Sequence, residues 1–334
     1  SITFTVTGGV DSDKFAVSGS TLAFSGFTPN FESPTGGSGD DSNTYLVQIT
    51  ATDGDGLTDV ETVSVTVVNA NDAPVITTTS FTNIPEEQTT IGTLAATDAD
   101  SSDSITFAIT GGLDSDKFSA GGIGGSTLAF SGFTPDFESP TGGSGDDSNT
   151  YEVQITATDN GTGALTDVQT ITVTVANEND STPAFTSANA FSVAEGGTAI
   201  DTLTGTDADG TTPTFSTVLT GTDALDFDLT ADGVLTFKAT TDFENPIDAD
   251  IDNVYSITAT ITDGSNTSTQ AITITVTDTN DESPVLTVAT PYSVAEGATS
   301  VGTVTTTDAD AGATFTYSLT GTDNALFTIN SDGD

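Results

Sequence analysis

Cysteine, histidine, methionine and tryptophan are all missing from this 334-residue chain, and only Lys14, Lys117 and Lys238 carry positive charge. Without cysteine no disulfide staples the fold, and without cysteine and histidine the usual ligands of zinc, copper and haem iron are gone. Any resident metal must then be a hard, oxygen-binding ion. Against the three lysines stand 49 acidic residues, a formal net charge of -46. That balance excludes nucleic acid and anionic membrane surfaces as direct partners. No apolar run reaches the length that spans a bilayer, so this segment does not insert in a membrane by helices. So large an acidic excess repels itself when the chain compacts. Bound cations reconcile the charge with a folded state, and a solubilising acidic surface is the plainer alternative.

What the chain has in abundance is threonine, valine, isoleucine and glycine, in stretches that alternate apolar with small polar residues. That period of two marks strands with one buried face. One such strand carries Tyr45, Val47, Ile49 and Ala51, and recurs as Tyr151, Val153, Ile155 and Ala157, then as Tyr255, Ile257, Ala259 and Ile261. The three tyrosines read as core residues with tethered hydroxyls. The next strand carries Val63, Val65 and Val67, then Ile171, Val173 and Val175, then Ile272, Ile274 and Val276. About seven strands per hundred residues fit a two-sheet antiparallel sandwich, so the expected fold is all-β: tandem seven-stranded Greek-key sandwiches forming an elongated rod.

The period is set by a linker. Asn69-Ala70-Asn71-Asp72-Ala73-Pro74 recurs as Asn177-Glu178-Asn179-Asp180-Ser181-Thr182-Pro183 and as Asp278-Thr279-Asn280-Asp281-Glu282-Ser283-Pro284, at spacings of 108 and 101 residues. One small domain per period follows. The expected boundaries are 1–73, 74–182, 183–283 and 284–334, with the first and last repeats partial, as though cut from something longer. Repeats one and two are close copies apart from an insertion near Gly122–Gly124, which suggests recent duplication and an architectural role.

Four further acidic motifs keep phase with the linker. A glutamate comes early, as Glu86, Glu195 and Glu296, and twelve residues later stands Asp98-Ala99-Asp100, Asp207-Ala208-Asp209 or Asp308-Ala309-Asp310. Then come Asn30-Phe31-Glu32, Asp136-Phe137-Glu138 and Asp242-Phe243-Glu244, and the turn aspartates Asp53, Asp159 and Asp263. Calcium takes six to eight oxygens from carboxylates, amide and backbone carbonyls and water, whereas magnesium keeps a smaller hydrated shell and fits less well. A D-x-D in extended chain puts both carboxylates on one side, able to grip one ion or bridge two.

In this combination and order the motifs resemble the extracellular cadherin repeat, in its bacterial cadherin-like form, over essentially the whole chain. The resemblance implies about three calcium ions at each joint, held by the early Glu, the D-x-E and the linker of one domain with the D-x-D and turn Asp of the next. Carried over, the joint between the complete repeats uses Glu86, Asp136, Glu138, Asn179 and Asp180 with Asp207, Asp209 and Asp263. The following joint uses Glu195, Asp242, Glu244, Asp278, Asn280 and Asp281 with Asp308 and Asp310. The preceding one uses Glu32, Asn71 and Asp72 with Asp98, Asp100 and Asp159. Asn30, Asn69 and Asn177 stand where the family pattern has Asp, so affinity is expected to rise towards the third joint. The absence of tryptophan leaves adhesion by a tryptophan-anchored swapped strand unsupported.

Other acidic stretches carry less. Asp248-Ala249-Asp250-Ile251-Asp252-Asn253 has the opening spacing of an EF-hand loop, but its sixth residue is Asn and its twelfth is Ala259, so it reads as an acidic loop. Gly36–Asp41 and Gly142–Asp147 read as surface insertions. Asp11, Asp13, Asp114 and Asp116 read as weak local partners of the lysines.

The function expected from this pattern is a calcium-rigidified structural or adhesive array of a large secreted or cell-surface protein. Such an array acts as a stalk or fibre in cell adhesion, surface attachment or an extracellular or biofilm matrix. Further copies of the chain and surface glycans stand beside calcium as partners. The alternative is a calcium-dependent carbohydrate-binding or enzyme-appended module. Paired carboxylates such as Asp136 and Glu138 resemble a glycosidase pair, but a motif that recurs at every joint does not behave as a single active site.

Overall fold

The computed structural model describes residues 1–35, 42–141 and 148–334, apart from the side chain of Ile123, and forms two compact units, Ser1–Glu178 and Asn179–Asp334. The insertions Gly36–Asp41 and Gly142–Asp147 lie outside the described residues. The described residues are built from strands and short 3₁₀ turns, and no helix among them is long and apolar enough to cross a membrane.

In the first unit, Thr150–Thr158 pairs antiparallel with Thr106–Gly111 on one side and Thr166–Ala176 on the other, and Ser80–Pro85 adds to the last in parallel, making a four-stranded sheet. A three-stranded sheet of Phe118–Gly121, Thr127–Phe130 and Thr90–Thr93 faces it. Alternation decides what lies between them. Tyr151, Val153, Ile155 and Ala157 are all fully buried, as are Ile171 and Val173, against Leu128, Phe130 and Leu94. Each such aliphatic side chain contributes about 1.5–3 kcal/mol by leaving water. Earlier in the unit, Thr3–Gly8, Thr44–Thr52 and Thr58–Thr66 form a sheet over the hairpin Phe15–Ser18 and Thr21–Phe24, with Tyr45 packed edge-on against Phe24.

The second unit repeats the pattern. Val254–Thr262 lies between Thr214–Phe215 and Thr267–Thr277, with Ala190–Ala194 in parallel at the edge, opposite a sheet of Phe227–Leu229, Val234–Phe237 and Ala199–Thr202. Ile257, Ala259, Ile261, Ile272, Ile274 and Leu235 fill its core. Val285–Thr287 pairs with Thr305–Thr307 further on. Two of the three tyrosine hydroxyls are tethered as expected: that of Tyr255 accepts the Ile247 amide at 3.4 Å and that of Tyr151 meets the Thr141 backbone, whereas among the described residues that of Tyr45 has no hydrogen-bond partner.

A register shift between Ile109 and Gly111 carries the chain out of the sheet. Gly112 sits there at φ +106°, and a Cβ on it would come within 2.6 Å of the Val153 Cα, so only glycine fits. The turn that follows is closed by Asp114, whose carboxylate accepts the Glu152 amide at 2.8 Å. Asp11 does the same for Leu46 at 2.8 Å, and Asp223 takes Ser256 at 2.7 Å and Ala249 at 2.9 Å. Asp11 and Asp114 are therefore buried clasps between turn and strand, while Asp13 and Asp116 are the lysine partners, at 3.2 and 3.9 Å.

Candidate metal centres

The recurring acidic motifs sit in turns. In place of the extended D-x-D, Asp98 folds back so that its Oδ1 accepts the Asp100 amide at 2.9 Å; Asp207 does so with Asp209 at 2.9 Å and Asp308 with Asp310 at 3.1 Å. Short acidic side chains favour such turns over the pleated chain. One oxygen of each leading aspartate is thereby spent on the backbone. The other oxygen of Asp98 and of Asp207 is buried and has no hydrogen-bond partner among the described residues.

The D-x-E motifs are also turns. Asp136 accepts the Ser139 amide at 2.7 Å, Asp242 the Asn245 amide at 2.9 Å, and Asn30 the Ser33 amide at 2.6 Å. Their middle phenylalanine is pinned from two sides. Its carbonyl takes the amide of Asn43, Asn149 or Asn253 at 2.8 Å, and its N–H reaches the early glutamate: Phe137 to Glu86 at 2.6 Å, Phe243 to Glu195. The glutamates hold the linkers with their second oxygen, Glu86 from Glu178 N and Glu195 from Thr279 N, both at 2.8 Å.

In the first unit, carboxylate oxygens of Glu32, Asp72 and Asp100 lie within 4.8 Å of one another. Asp100 is buried and fully satisfied: Asn69 donates to its Oδ1 at 2.6 Å and the Asp72 amide to its Oδ2 at 2.7 Å. Those two donors hold its carboxyl below the usual range, the Asp72 amide contributing most. Asn71 donates to Asp159 at 3.0 Å, and the other oxygen of Asp159 caps its own turn through Gly161 N at 2.9 Å and Leu165 N at 3.2 Å.

In the second unit the linker Asp278–Pro284 is poorer in donors. Glu195, Glu244 and Asp278 form one close group, and Glu244, Asp281 and Asp310 another, so Glu244 belongs to both. Glu195, Asp242, Glu244 and Asp281 also border a cavity of about 270 Å³. Glu244 Oε1, Asp278 Oδ1 and Asp310 Oδ1 are buried without a hydrogen-bond partner among the described residues. Burial raises the carboxyl of Asp310, and burial followed by the charges of Glu195, Asp278 and Asp310 raises that of Glu244. Asn280 is exposed.

The residues assigned to the middle joint divide between the units, with Glu86, Asp136 and Glu138 in the first and Asn179, Asp180, Asp207, Asp209 and Asp263 in the second. Oxygens of Asp207, Asp209 and Asp263 converge within 4.8 Å. With its side-chain amide turned so that the nitrogen faces the carboxylates, Asn179 donates to Asp263 and Asp209, each at 3.1 Å, and Ser181 N donates to Asp209 at 2.9 Å. Burial pushes Asp263 up, but the Asn266 and Ser265 amides outweigh it and bring the carboxyl below its ordinary value.

These donor sets fit a hard divalent cation. Every candidate ligand is an oxygen, and buried carboxylate oxygens without a donor carry a desolvation cost that a bound cation offsets. Glu244, Asp278 and Asp310 meet that description most fully, with Asp98 and Asp207 contributing one oxygen each.

One acidic residue outside the repeating pattern joins them. Asp103 has no acidic counterpart in the other repeats, and burial and then the charges of Asp100, Asp159 and Asp98 raise its carboxyl. A Cβ on Gly161 would lie 1.7 Å from Asn71 Oδ1 and 2.4 Å from Asp103 Oδ2, so both side chains converge over that bare Cα. Its D-x-D-x-x-D spacing was visible, but no repeat supported it. The Asn two residues before each core tyrosine did recur, and marked the D-x-E clasp. In the Asp248 loop, Asp248 is committed to the Asp252 amide at 2.8 Å and the Asn253 amide at 3.3 Å, in keeping with an acidic loop.

No family model and no curated protein matches the chain. Solved structures do. The protocadherin GammaB4 extracellular domain aligns with 93% of the chain at 22% identity and TM-score 0.60, and the chain spans 51% of its length. A protocadherin gammaB7 EC3-6 cis-dimer aligns with 93% of the chain at 22% identity and TM-score 0.58, over 77% of its own length. Mouse cadherin-23 EC22-24 aligns with 83% of the chain at 20% identity and TM-score 0.52, over 86% of its length. With its facing sheets and phased acidic turns, the chain has the fold of cadherin extracellular repeats.

Proposed function

We propose that the chain is a calcium-rigidified structural and adhesive repeat array of a large secreted or cell-surface protein, serving as stalk or fibre in adhesion, attachment or matrix. The observation that carries this reading is the set of buried carboxylate oxygens on Glu244, Asp278 and Asp310, beside a linker, that have no donor among the described residues. The repeats run 1–73, 74–182, 183–283 and 284–334, and each linker with its flanking turns holds about three calcium ions through the residues named above. Without calcium the carboxylates repel and a linker not held by donors of the protein itself flexes; with it, neighbouring repeats lock. Extracellular modules of this type bind calcium at about 10⁻⁴ to 10⁻³ M, so the array responds to the medium outside a cell.

The similar protocadherin gammaB7 fragment is a cis-dimer, and association between copies of this chain is the matching proposal. Catalysis is not part of the reading, because the carboxylate pairs recur at each linker and are engaged in holding turns. A sugar platform finds little support, since Tyr45, Tyr151 and Tyr255 are buried and present no ring face. Small-angle scattering with calcium and with chelator tests the array. A longer, stiffer particle in calcium is the expected result, and an unchanged maximum dimension rejects it.

A further inference from the structure

We infer that the linker Asn69–Pro74 is latched by side-chain amides and keeps its place without a cation, whereas the linker Asp278–Pro284 needs one. The inference deepens the calcium reading and rests on it. Asn69 and Asp278 occupy the same position in the repeating linker. Asn69 offers an N–H, and with the Asp72 amide it fills both oxygens of the buried Asp100, at 2.6 and 2.7 Å. In the later linker the equivalent buried aspartate, Asp310, receives the Glu282 amide on Oδ2 at 3.0 Å and is met by the Asp281 amide as well, yet among the described residues its Oδ1 has no hydrogen-bond partner.

Asp278 cannot donate. Its own Oδ2 takes the Ala311 amide at 2.6 Å and its buried Oδ1 has no donor among the described residues. Asn71 adds a second latch in the first linker through Asp159 at 3.0 Å, across 88 residues of sequence. Exchanging carboxylate for amide therefore turns an acceptor facing an acceptor into a donor facing an acceptor. The first arrangement needs a cation between the groups; the second is complete as it stands. The array thus has one joint that stays closed when calcium falls and one that opens.

Hydrogen exchange of the whole chain, followed by mass spectrometry on peptides covering 69–74 and 278–284, reads both linkers at once. Chelator is expected to speed exchange in 278–284 by about tenfold or more, the factor for loss of one charge-assisted bond, and to leave 69–74 unchanged. Asn69→Asp should make 69–74 chelator-sensitive, and Asp278→Asn should make 278–284 less so. Should Asn69→Asp not fold, Asn71→Asp and the wild-type comparison carry the test. Equal acceleration of both wild-type linkers by chelator overturns the latch while leaving the calcium reading standing. Indifference of both linkers to calcium overturns the calcium reading, and the contrast with it.

Discussion

The amide of Asn71 donates to the carboxylate of Asp159 at 3.0 Å, tying a linker to the turn of the next sandwich strand pair. Asn71 was expected as a metal ligand through its carbonyl oxygen. With its N–H committed to Asp159, that oxygen lies over Gly161, near Asp103. One side chain thus links a direct contact within the protein to a candidate ligand shell.

Gly161→Ala tests this contact, because the added methyl would collide with Asn71 Oδ1 and Asp103 Oδ2. The variant should lose protection at the 69–74 amides with and without calcium. Its sandwich cores should keep their protection, since Gly161 lies outside them. Unchanged exchange at 69–74 would refute the packing.

Glu244 belongs to two carboxylate groups, and Glu32 stands with Asp72 and Asp100 in another. Calorimetric titration of Glu244→Gln should therefore show loss of more than one calcium equivalent, and Glu32→Gln loss of one at most. Equal stoichiometries in the two variants count against bridging by Glu244.

Asp223 holds Ser256 N and Ala249 N from a buried position and is a clasp with no part in the candidate centres. Asp223→Ala should cost about 1.5–3 kcal/mol for each charge-assisted bond lost. Urea unfolding in calcium and in chelator should give the same deficit. A deficit that calcium relieves would place Asp223 among the ligands instead.

Ile155 is fully buried between the two sheets of its sandwich. Ile155→Ala should lower stability by about 2–5 kcal/mol, from lost transfer energy and the cavity left behind. Calcium stoichiometry should not change, because the centres lie at the turns and the deletion lies in the core. Equilibrium denaturation and calorimetry on the same sample check both halves.

The strands were legible because their signal is local. Val153, Ile155 and Ala157 alternate with polar residues, and a period of two places them on one face whatever lies elsewhere in the chain. The turn aspartates were legible for the same reason: Asp53, Asp159 and Asp263 each accept amides two to six residues on. The D-x-D geometry was misread, since extended chain and turn share that spacing. The turn wins because the first carboxylate satisfies a backbone N–H. The clasps of Asp11, Asp114 and Asp223 escaped notice because their partners are distant in sequence; Asp114 meets Glu152 across 38 residues.

Composition and periodicity by themselves determined that the chain is all-β, repeated, lacking soft-metal ligands and crowded with oxygen donors at regular intervals. Those properties depend only on residue type and spacing. The tertiary structure decided which oxygens are already spoken for. An amide at position 69 and a carboxylate at position 278 look like small variations on one motif, yet Asn69 donates to the buried Asp100, while Asp278, like Asp310, has an oxygen without a donor among the described residues. Hydrogen-bond satisfaction is a property of neighbours brought together by folding, and residue type and spacing alone do not contain it.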